Sequence, residues 1–549
     1  MINAAMKCLV IFSFAFICFP GDFALARQVT GIVLTEGGVP APRAAVRMRA
    51  ARIQTVTDAK GMFTLENTPA GNITVSAWKE GYLIAGTETA ENSGNAVIHL
   101  HPIPFADTKD YQWVSPEPPT LMEKISIGIG RAFSFMTGNK KQRSRFENNC
   151  SNCHENTTVP EWRASAHSMS ARNPLLLDMY NGTDAKGNNG IYPGYRLDFP
   201  GSAGNCATCH APVAAMADPW NTDLNNIKGA AREGIPCDFC HKIKGTDIHG
   251  GGYPGVLSMR FNRPPPGEQL FYGPLDDVTA GPDTYSSLYT KSRFCAPCHS
   301  ASFWGTPVYS EYDEWLKSPY PARGTECQDC HMAPGMKSVF IVPPGKGGVS
   351  RDPKTISTHN MPGSRDARFI ASALKINVAA EKNKNGLTVD VTITNEKAGH
   401  HFPTGVPMRN LILLVAANDG GGKKLEFAGG PVVPDWGGIG SEINGDYAGL
   451  PGKGFAKILG DAAAEYPGKV NPNYRSPAPH WRQTRIVSDN RIPAGGSDSS
   501  RYLFKPKKSG CSTVKVKLIY RRAFKQWMDS KGWPLTDLEL WSKEIALCE

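Results

Sequence analysis

Apolar and polar residues alternate with a period of two in two separate regions of the chain. The first runs from QVTGIVL at residue 28 through AAVRMRA, QTVTDAKGMFTLEN and GNITVSAWKEGY to NAVIHLHP, with Gly, Pro and Asn between the runs. Alternation puts every second side chain on one face of a strand, so residues 27–103 predict a small β-sandwich. The second region begins near Asp366. There LKINVAAEK, LTVDVTITNEKAG, MRNLILLVAAN, TRIVSD, SRYLFKPK and CSTVKVKLIYRR predict a β-rich domain over 366–549. Within it, residues 429–480 are rich in Gly and Pro and read as long ordered loops, while residues 524–547 carry helical signals.

Between the two regions the periodicity is lost. Pro193, Pro200, Pro254 and the run Pro264, Pro265, Pro266 interrupt the chain, so residues 146–365 predict short helices and irregular segments. Ahead of them, Pro-rich residues 104–120 read as a linker. LMEKISIGIGRAFSF at 121–135 reads as an amphipathic helix that docks on the central region, completing a connecting segment over 104–145. The fold class expected is multidomain α+β, with an N-terminal β-sandwich, a mainly helical, irregular centre and a C-terminal β-rich domain. A chain of 549 residues accommodates three or four domains.

The first residues have another purpose. Lys7 precedes the apolar run CLVIFSFAFICF, and Ala24-Leu25-Ala26 supplies a cleavage site, so residues 1–26 read as a signal peptide. The run is too short for a comfortable membrane span, and no later apolar stretch approaches that length. The mature protein is expected in the periplasm or outside the cell, with no transmembrane segment.

Of the 14 cysteines, Cys8 and Cys18 leave with that peptide. Ten of the rest fall in one repeated pattern, Cys-x-x-Cys-His: Cys150, Cys153 and His154; Cys206, Cys209 and His210; Cys237, Cys240 and His241; Cys295, Cys298 and His299; Cys327, Cys330 and His331. This is the c-type haem attachment pattern. The two sulfurs bond the haem edge, and the adjacent imidazole is held where it can take one axial position on iron. Zinc and redox Cys-x-x-Cys pairs need no following histidine, so five repeats that all carry one point to five covalently bound c-type haems. Gaps between motifs alternate long, short, long, short, which suggests haem pairs at 206/237 and 295/327. The two cysteines left over, Cys511 and Cys548, are free to form a disulfide in an oxidising compartment.

A formal charge of +10 invites a nucleic-acid partner. The propionates of five haems, about ten carboxylates, roughly cancel that surplus, so no nucleic acid is expected. The run Lys140, Lys141, Arg143, Arg145 reads as a solvated helix end or as propionate partners.

Whatever fills the second axial position decides between a wire and a catalyst. The candidates are His167 in EWRASAHSMS, His359 in STHNMPG, His249 in DIHGGGYPG, the adjacent His400 and His401 in GHHFPTG, and His480 beside Trp481. Adjacent strand residues face opposite ways, so only one of His400 and His401 is expected to reach an iron.

These phrases carry two resemblances. Residues 57–63, TDAKGMF, with Pro69-Ala70-Gly71, resemble the carboxypeptidase regulatory-like (transthyretin-like) domain, a non-catalytic module that mediates packing or contacts. EWRASAHS and THNMPG resemble the multihaem cytochromes related to the tetrahaem electron acceptor of hydroxylamine oxidoreductase and to that oxidoreductase. GHHFPTG followed by strands is similar to β-domains appended to members of that group. The resemblance spans about residues 146–420. It implies closely stacked haems, with His154, His210, His241, His299 and His331 proximal and His167 and His359 distal. Five motifs in place of eight, and no Cys-x-x-Cys-Lys site, count against inheriting a catalytic activity.

The reading favoured is an exported pentahaem cytochrome that carries electrons between redox-partner proteins. One alternative is an oxidoreductase acting on a small nitrogen or sulfur compound at one open haem. Another is a self-associating assembly bridged by haems, with His99 or His101 lending a ligand to a neighbouring copy.

Overall fold

The computed structural model describes residues 27–90, 95–118, 121, 125, 149–248, 254–266, 268–279, 281–383, 386–462, 465–466, 469–470, 475–505 and 510–548. The signal segment 1–26, nearly all of the helix expected over 121–135, the basic run at 140–145, and His249 lie outside the described residues. The chain divides into two compact units, Met1–Pro102 and Ile103–Glu549.

The first unit is a sandwich of two sheets. Strands β1 (Arg27–Leu34), β4 (Met62–Thr68) and β7 (Asn95–His99) form one, in the order β4-β1-β7, with β1 and β7 parallel. Strands β2 (Ala45–Met48), β3 (Gln54–Val56), β5 (Ile73–Trp78) and β6 (Ala85–Thr89) form the other, in the order β3-β2-β5-β6. Alternation in β1 sends Val29 and Val33 inward against Phe63, Leu65 and Ile98, while Val46, Val75 and Ala77 close the core from the facing sheet. Gly31 is required in this layer, because a Cβ there would collide with the Ala96 carbonyl and the Phe63 ring. Truncating Phe63 to Ala in so small a core would cost about 3–5 kcal/mol.

In the second unit the C-terminal strands also form a sandwich. Leu374–Asn383, Gly386–Asn395, Ser497–Lys505 and Glu426–Gly429 make one sheet in that order. Gly452–Phe455, Asn410–Asp419, Ser512–Arg521 and Leu538–Leu547 make the other. Leu387, Val389, Val391 and Ile393 meet Leu411, Leu413, Val415 and Val516 in the core between them, as their period-two spacing requires. The chain is therefore a mixed α+β protein with β-rich ends.

Three segments differ from their sequence reading. Residues 524–547 are helical only over Lys525–Ser530, and Leu538–Leu547 is an edge strand antiparallel to Ser512–Arg521. The loop-rich stretch 429–480 contains Lys457–Asp461, a strand buried at every position, whose two-sided burial erases the alternation that would reveal it. Residues 103–118 do not hang free as a linker. They strap onto the central region, where Arg263 holds Asp107 by 2.8 and 2.6 Å bonds, and the Tyr111 hydroxyl and the Val114 amide both donate to Asp238 Oδ2 at 2.8 Å. Trp113 packs on Phe239 and Phe261 beneath them.

The helix Lys525–Ser530 and its flanks join the sandwich to the central region. Phe524, Trp527, Met528 and Trp533 share one core with Met179, Tyr180, Tyr195 and Phe239. Lys531, wholly buried, donates to the carbonyls of Asp178, Thr183 and Ile191 at 3.0, 2.8 and 2.7 Å. Leaving those carbonyls unpaired would cost roughly 1–3 kcal/mol each. Central region and C-terminal sandwich are thus one folded body.

Candidate functional site

Each of the five motifs forms a single helical turn: Ser151–His154, Ala207–His210, Cys237–Cys240, Ala296–His299 and Cys327–His331. In the first four the histidine amide bonds back to the carbonyl of the first cysteine, as His154 does to Cys150 at 2.8 Å. Residues three and four apart share a helix face, so the turn presents two thiols and an imidazole together. None of the ten motif cysteines forms a disulfide, whereas Cys511 and Cys548, which flank paired strands, are joined in one with Cα atoms 4.1 Å apart.

The motifs adjoin one another in an order that spacing did not reveal. The Cys150 thiol interacts with Cys237, Cys209 with Cys298, and Cys295 with Cys327. Cys240 acts electrostatically on both Cys295 and Cys298, which joins these contacts into one continuous set. The pair 295/327 suggested by spacing is adjacent in space. The motifs at 206 and 237 instead lie against those at 295 and 150.

Histidines from remote segments reach the motif histidines. The rings of His167 and His299 have centroids 6.3 Å apart, and those of His400 and His331 are 6.5 Å apart with planes 22° from parallel. His359 feels the charge of both His241 and His154. His480 feels that of His210, although its Nε2 lies 3.1 Å from the Tyr309 hydroxyl. His401 does not join the set. It sits in an irregular segment, its amide donates to Glu314 Oε2 at 2.9 Å, and its Nδ1 lies 3.7 Å from Glu314 Oε1. His99 and His101 are exposed in the first unit.

Charge and hydrogen bonding favour ligation. Burial, helped by neighbouring imidazoles, pushes His167 down to about 4 and His359 to about 3, and burial likewise brings His210, His331 and His480 to about 4. At neutral pH these rings carry no charge, the form that lends a lone pair to a metal. The Nδ1 atoms of His154, His167, His359 and His401 are buried with no hydrogen-bond partner, so this feature does not separate ligand from non-ligand histidines. Elsewhere the outer nitrogen is held: His241 Nδ1 by the Tyr272 carbonyl at 2.6 Å and His331 Nδ1 by the Pro362 carbonyl at 2.8 Å. Such bonds fix the ring and leave Nε2 for iron.

The helix Glu311–Leu316 contributes two carboxylates that sequence reading passed over. Burial alone would raise Glu311, but the hydrogen bond and charge of His299 hold it down to about 2. His299 is raised in return, against its own burial. Glu314 lies between His401 and Arg491. Only the acidic run EYDEW could have flagged them, and that pattern also describes an ordinary solvated helix.

Haem fits these residues better than zinc. Among the described residues no three His, Cys, Asp or Glu side chains converge on a metal-sized point. A structural zinc site needs four such ligands, while haem brings four nitrogens of its own and asks for two. A cleft of about 280 Å³ beside the first motif, lined by Cys153, Asn152, Phe340 and Lys346 among others, adds room there.

Residues 149–242 match the family cytochrome c554 and c-prime, and residues 28–100 match the carboxypeptidase regulatory-like domain. The chain carries a multihaem c-type cytochrome domain. The fold of that cytochrome is similar to a penta-heme cytochrome c552 from Thermochromatium tepidum, with a TM-score of 0.50 and 19% identity over 72% of this chain and 97% of that one. A cohesin-X-dockerin complex from Acetivibrio cellulolyticus aligns over 14% of this chain and 51% of its own at 25% identity, with a TM-score of 0.11. No curated protein matches the cytochrome. Among its described residues no helix is long and apolar enough to cross a membrane.

Proposed function

We propose that this protein conducts electrons along a row of five c-type haems, one on each Cys-x-x-Cys-His turn, between redox-partner proteins. The observation that carries the reading is the opposition of imidazoles, His167 facing His299 at 6.3 Å and His400 facing His331 at 6.5 Å. Two metal–imidazole bonds of about 2 Å each put opposed ring centroids roughly 6 Å apart. An iron closed on both sides has no place for substrate and suits electron transfer. The haems supply the one-electron couple; the chain fixes ligation, spacing and solvent exposure. His154, His210, His241, His299 and His331 serve as proximal ligands, with His167, His400, His359 and His480 distal.

A second reading has one specific support. His154 and His241 both act electrostatically on His359, and a single imidazole closes one iron. Without another ligand, one of those two haems is open and could turn over a small nitrogen or sulfur compound. Low-temperature EPR of the purified holoprotein separates the two readings. Low-spin signals alone, with no carbon monoxide bound on reduction, fit the wire; a high-spin ferric signal with rapid carbon monoxide binding would overturn it. Intact-mass measurement gives the haem count.

Removal of residues 1–26 and export to the periplasm or beyond complete the proposal. The Cys511–Cys548 disulfide supports an oxidising compartment. N-terminal sequencing of the exported protein tests the cleavage at Ala26.

A further inference from the structure

Three carboxylates fix the helix Glu311–Leu316 beside the motif at 295–299. Asp313 Oδ2 accepts from the Ser300 hydroxyl, next to His299, at 2.7 Å. Glu314 accepts from Arg491 at 2.7 Å and from the His401 amide at 2.9 Å. Glu311 Oε2 accepts from the Ser310 amide at 3.1 Å, while its Oε1 lies 3.8 Å from His299 Nδ1. With Nδ1 turned to the carboxylate, Nε2 is the nitrogen left for iron.

This partner differs in kind from those of the other motif histidines. His241 and His331 turn Nδ1 to the Tyr272 and Pro362 carbonyls, dipoles without net charge. Among the described residues His299 is the one motif histidine in an ion pair, and it is the one ion-pair partner of Glu311. The buried ammonium of Lys457 bonds Ser310 Oγ at 3.0 Å and the Pro307 and Val308 carbonyls at 3.3 Å instead. A carboxylate beside the outer nitrogen orients an imidazole and makes it a stronger donor to its metal. A stronger donor favours ferric over ferrous iron, and ligand strength of this kind is one of the levers that set a haem potential.

We infer that Glu311 is a positioning residue which, through His299, lowers the potential of the haem on Cys295 and Cys298. This rests on the electron-transfer reading. The place in the row gives the effect its use, because the motif at 295–299 adjoins two others, through Cys298 with Cys209 and Cys295 with Cys327. A haem at such a junction that is harder to reduce hands its electron to a neighbour instead of storing it. In each hop one electron turns ferric iron to ferrous, and the His299 Nδ1 proton stays on the ring.

The test is a spectroelectrochemical titration of the holoprotein at neutral pH. Glu311→Gln keeps the side-chain length and an acceptor oxygen and removes the charge. It should raise one of the five midpoint potentials, changing the ferric-to-ferrous ratio of that haem about tenfold at a fixed potential, a rise of about 59 mV for one electron. Glu311→Asp keeps the charge but draws it back by one methylene, and should raise the same potential by less. Asp313→Asn removes an equal charge at an exposed position of the same helix and keeps an acceptor for Ser300, so it should move that potential far less than Glu311→Gln does. In the His167→Ala background, where the haem held by His299 becomes high-spin and is visible by itself, Glu311→Gln should move the high-spin couple. Five unchanged potentials, a shift on a different haem, a rise in Glu311→Asp as large as in Glu311→Gln, or an equal shift in Asp313→Asn would each overturn the proposal. Should Glu311→Gln fail to load five haems, Glu311→Asp decides alone: a rise in one potential supports the assignment and no change overturns it. Failure of the electron-transfer reading appears elsewhere, as a high-spin haem that binds carbon monoxide in the wild type.

Discussion

His400 and His331 face each other with ring centroids 6.5 Å apart and planes 22° from parallel, while the next residue, His401, turns away to Glu314. Neighbouring histidines in one phrase therefore divide between two tasks. His400→Ala should leave the iron held by His331 with one protein ligand and convert one haem to high spin. His401→Ala should leave every haem low-spin. EPR spin counts on the two variants check this, and a high-spin signal from His401→Ala alone would reverse the assignment.

A parallel expectation concerns His359. His154 and His241 both act electrostatically on its ring, so His359→Ala should add one high-spin haem to whatever the wild type contains. An unchanged EPR spectrum would remove His359 from the ligand set. The wild-type spectrum then says whether the other member of the pair has a sixth ligand.

One buried carboxylate holds the middle of the strap over residues 103–118. Asp238 is fully buried, takes bonds from Tyr111 and Val114, and pairs with the fully buried Lys242 at 2.5 Å. Tyr111→Phe removes one of those donors and should destabilise the holoprotein by about 1–3 kcal/mol. Asp238→Asn leaves the lysine charge without its counter-ion and should cost about 3–5 kcal/mol. Urea unfolding followed at the Soret band measures both. Limited proteolysis should cut within 103–118 faster in either variant, and equal cleavage rates would mean that the strap is held by the Asp107–Arg263 pair and Trp113 instead.

The parts legible in the sequence are those written in local pattern. Val29 and Val33, or Leu387, Val389, Val391 and Ile393, announce their strands because alternation is a property of neighbours. The attachment motifs are legible for the same reason, since two thiols and an imidazole fit within one helical turn. Pairings between distant segments leave no local mark. That His400 and not His401 meets His331, or that Cys209 adjoins Cys298, depends on where the irregular chain folds back. The edge strand Leu538–Leu547 misleads in another way. Leu538, Trp541 and Ile545 repeat at helical spacing, and only pairing with Ser512–Arg521, through a bulge at Leu518 and Ile519, selects the extended form. Residues 103–118 look like a linker because proline marks both linkers and docked straps.

Lys457 offers a test by pH. Its ammonium is buried, 4% exposed, against the carbonyls of Pro307 and Val308 at 3.3 Å and Ser310 Oγ at 3.0 Å. Burial, reinforced by Arg491, lowers it from 10.5 to about 8. A lysine whose folded value is depressed opposes folding while it is charged in both states, so the penalty is complete below about 8. As pH rises from about 8 towards 10.5 the folded protein loses the proton first, and stability should increase. Lys457→Met removes this group and keeps the stem. Other groups titrate alike in both proteins, so the stability of wild type relative to Lys457→Met should rise between pH 7.5 and 10 by at most about 3 kcal/mol. Urea midpoints at the two pH values give that difference. A constant difference would mean that the three oxygen partners hold the ammonium charged throughout.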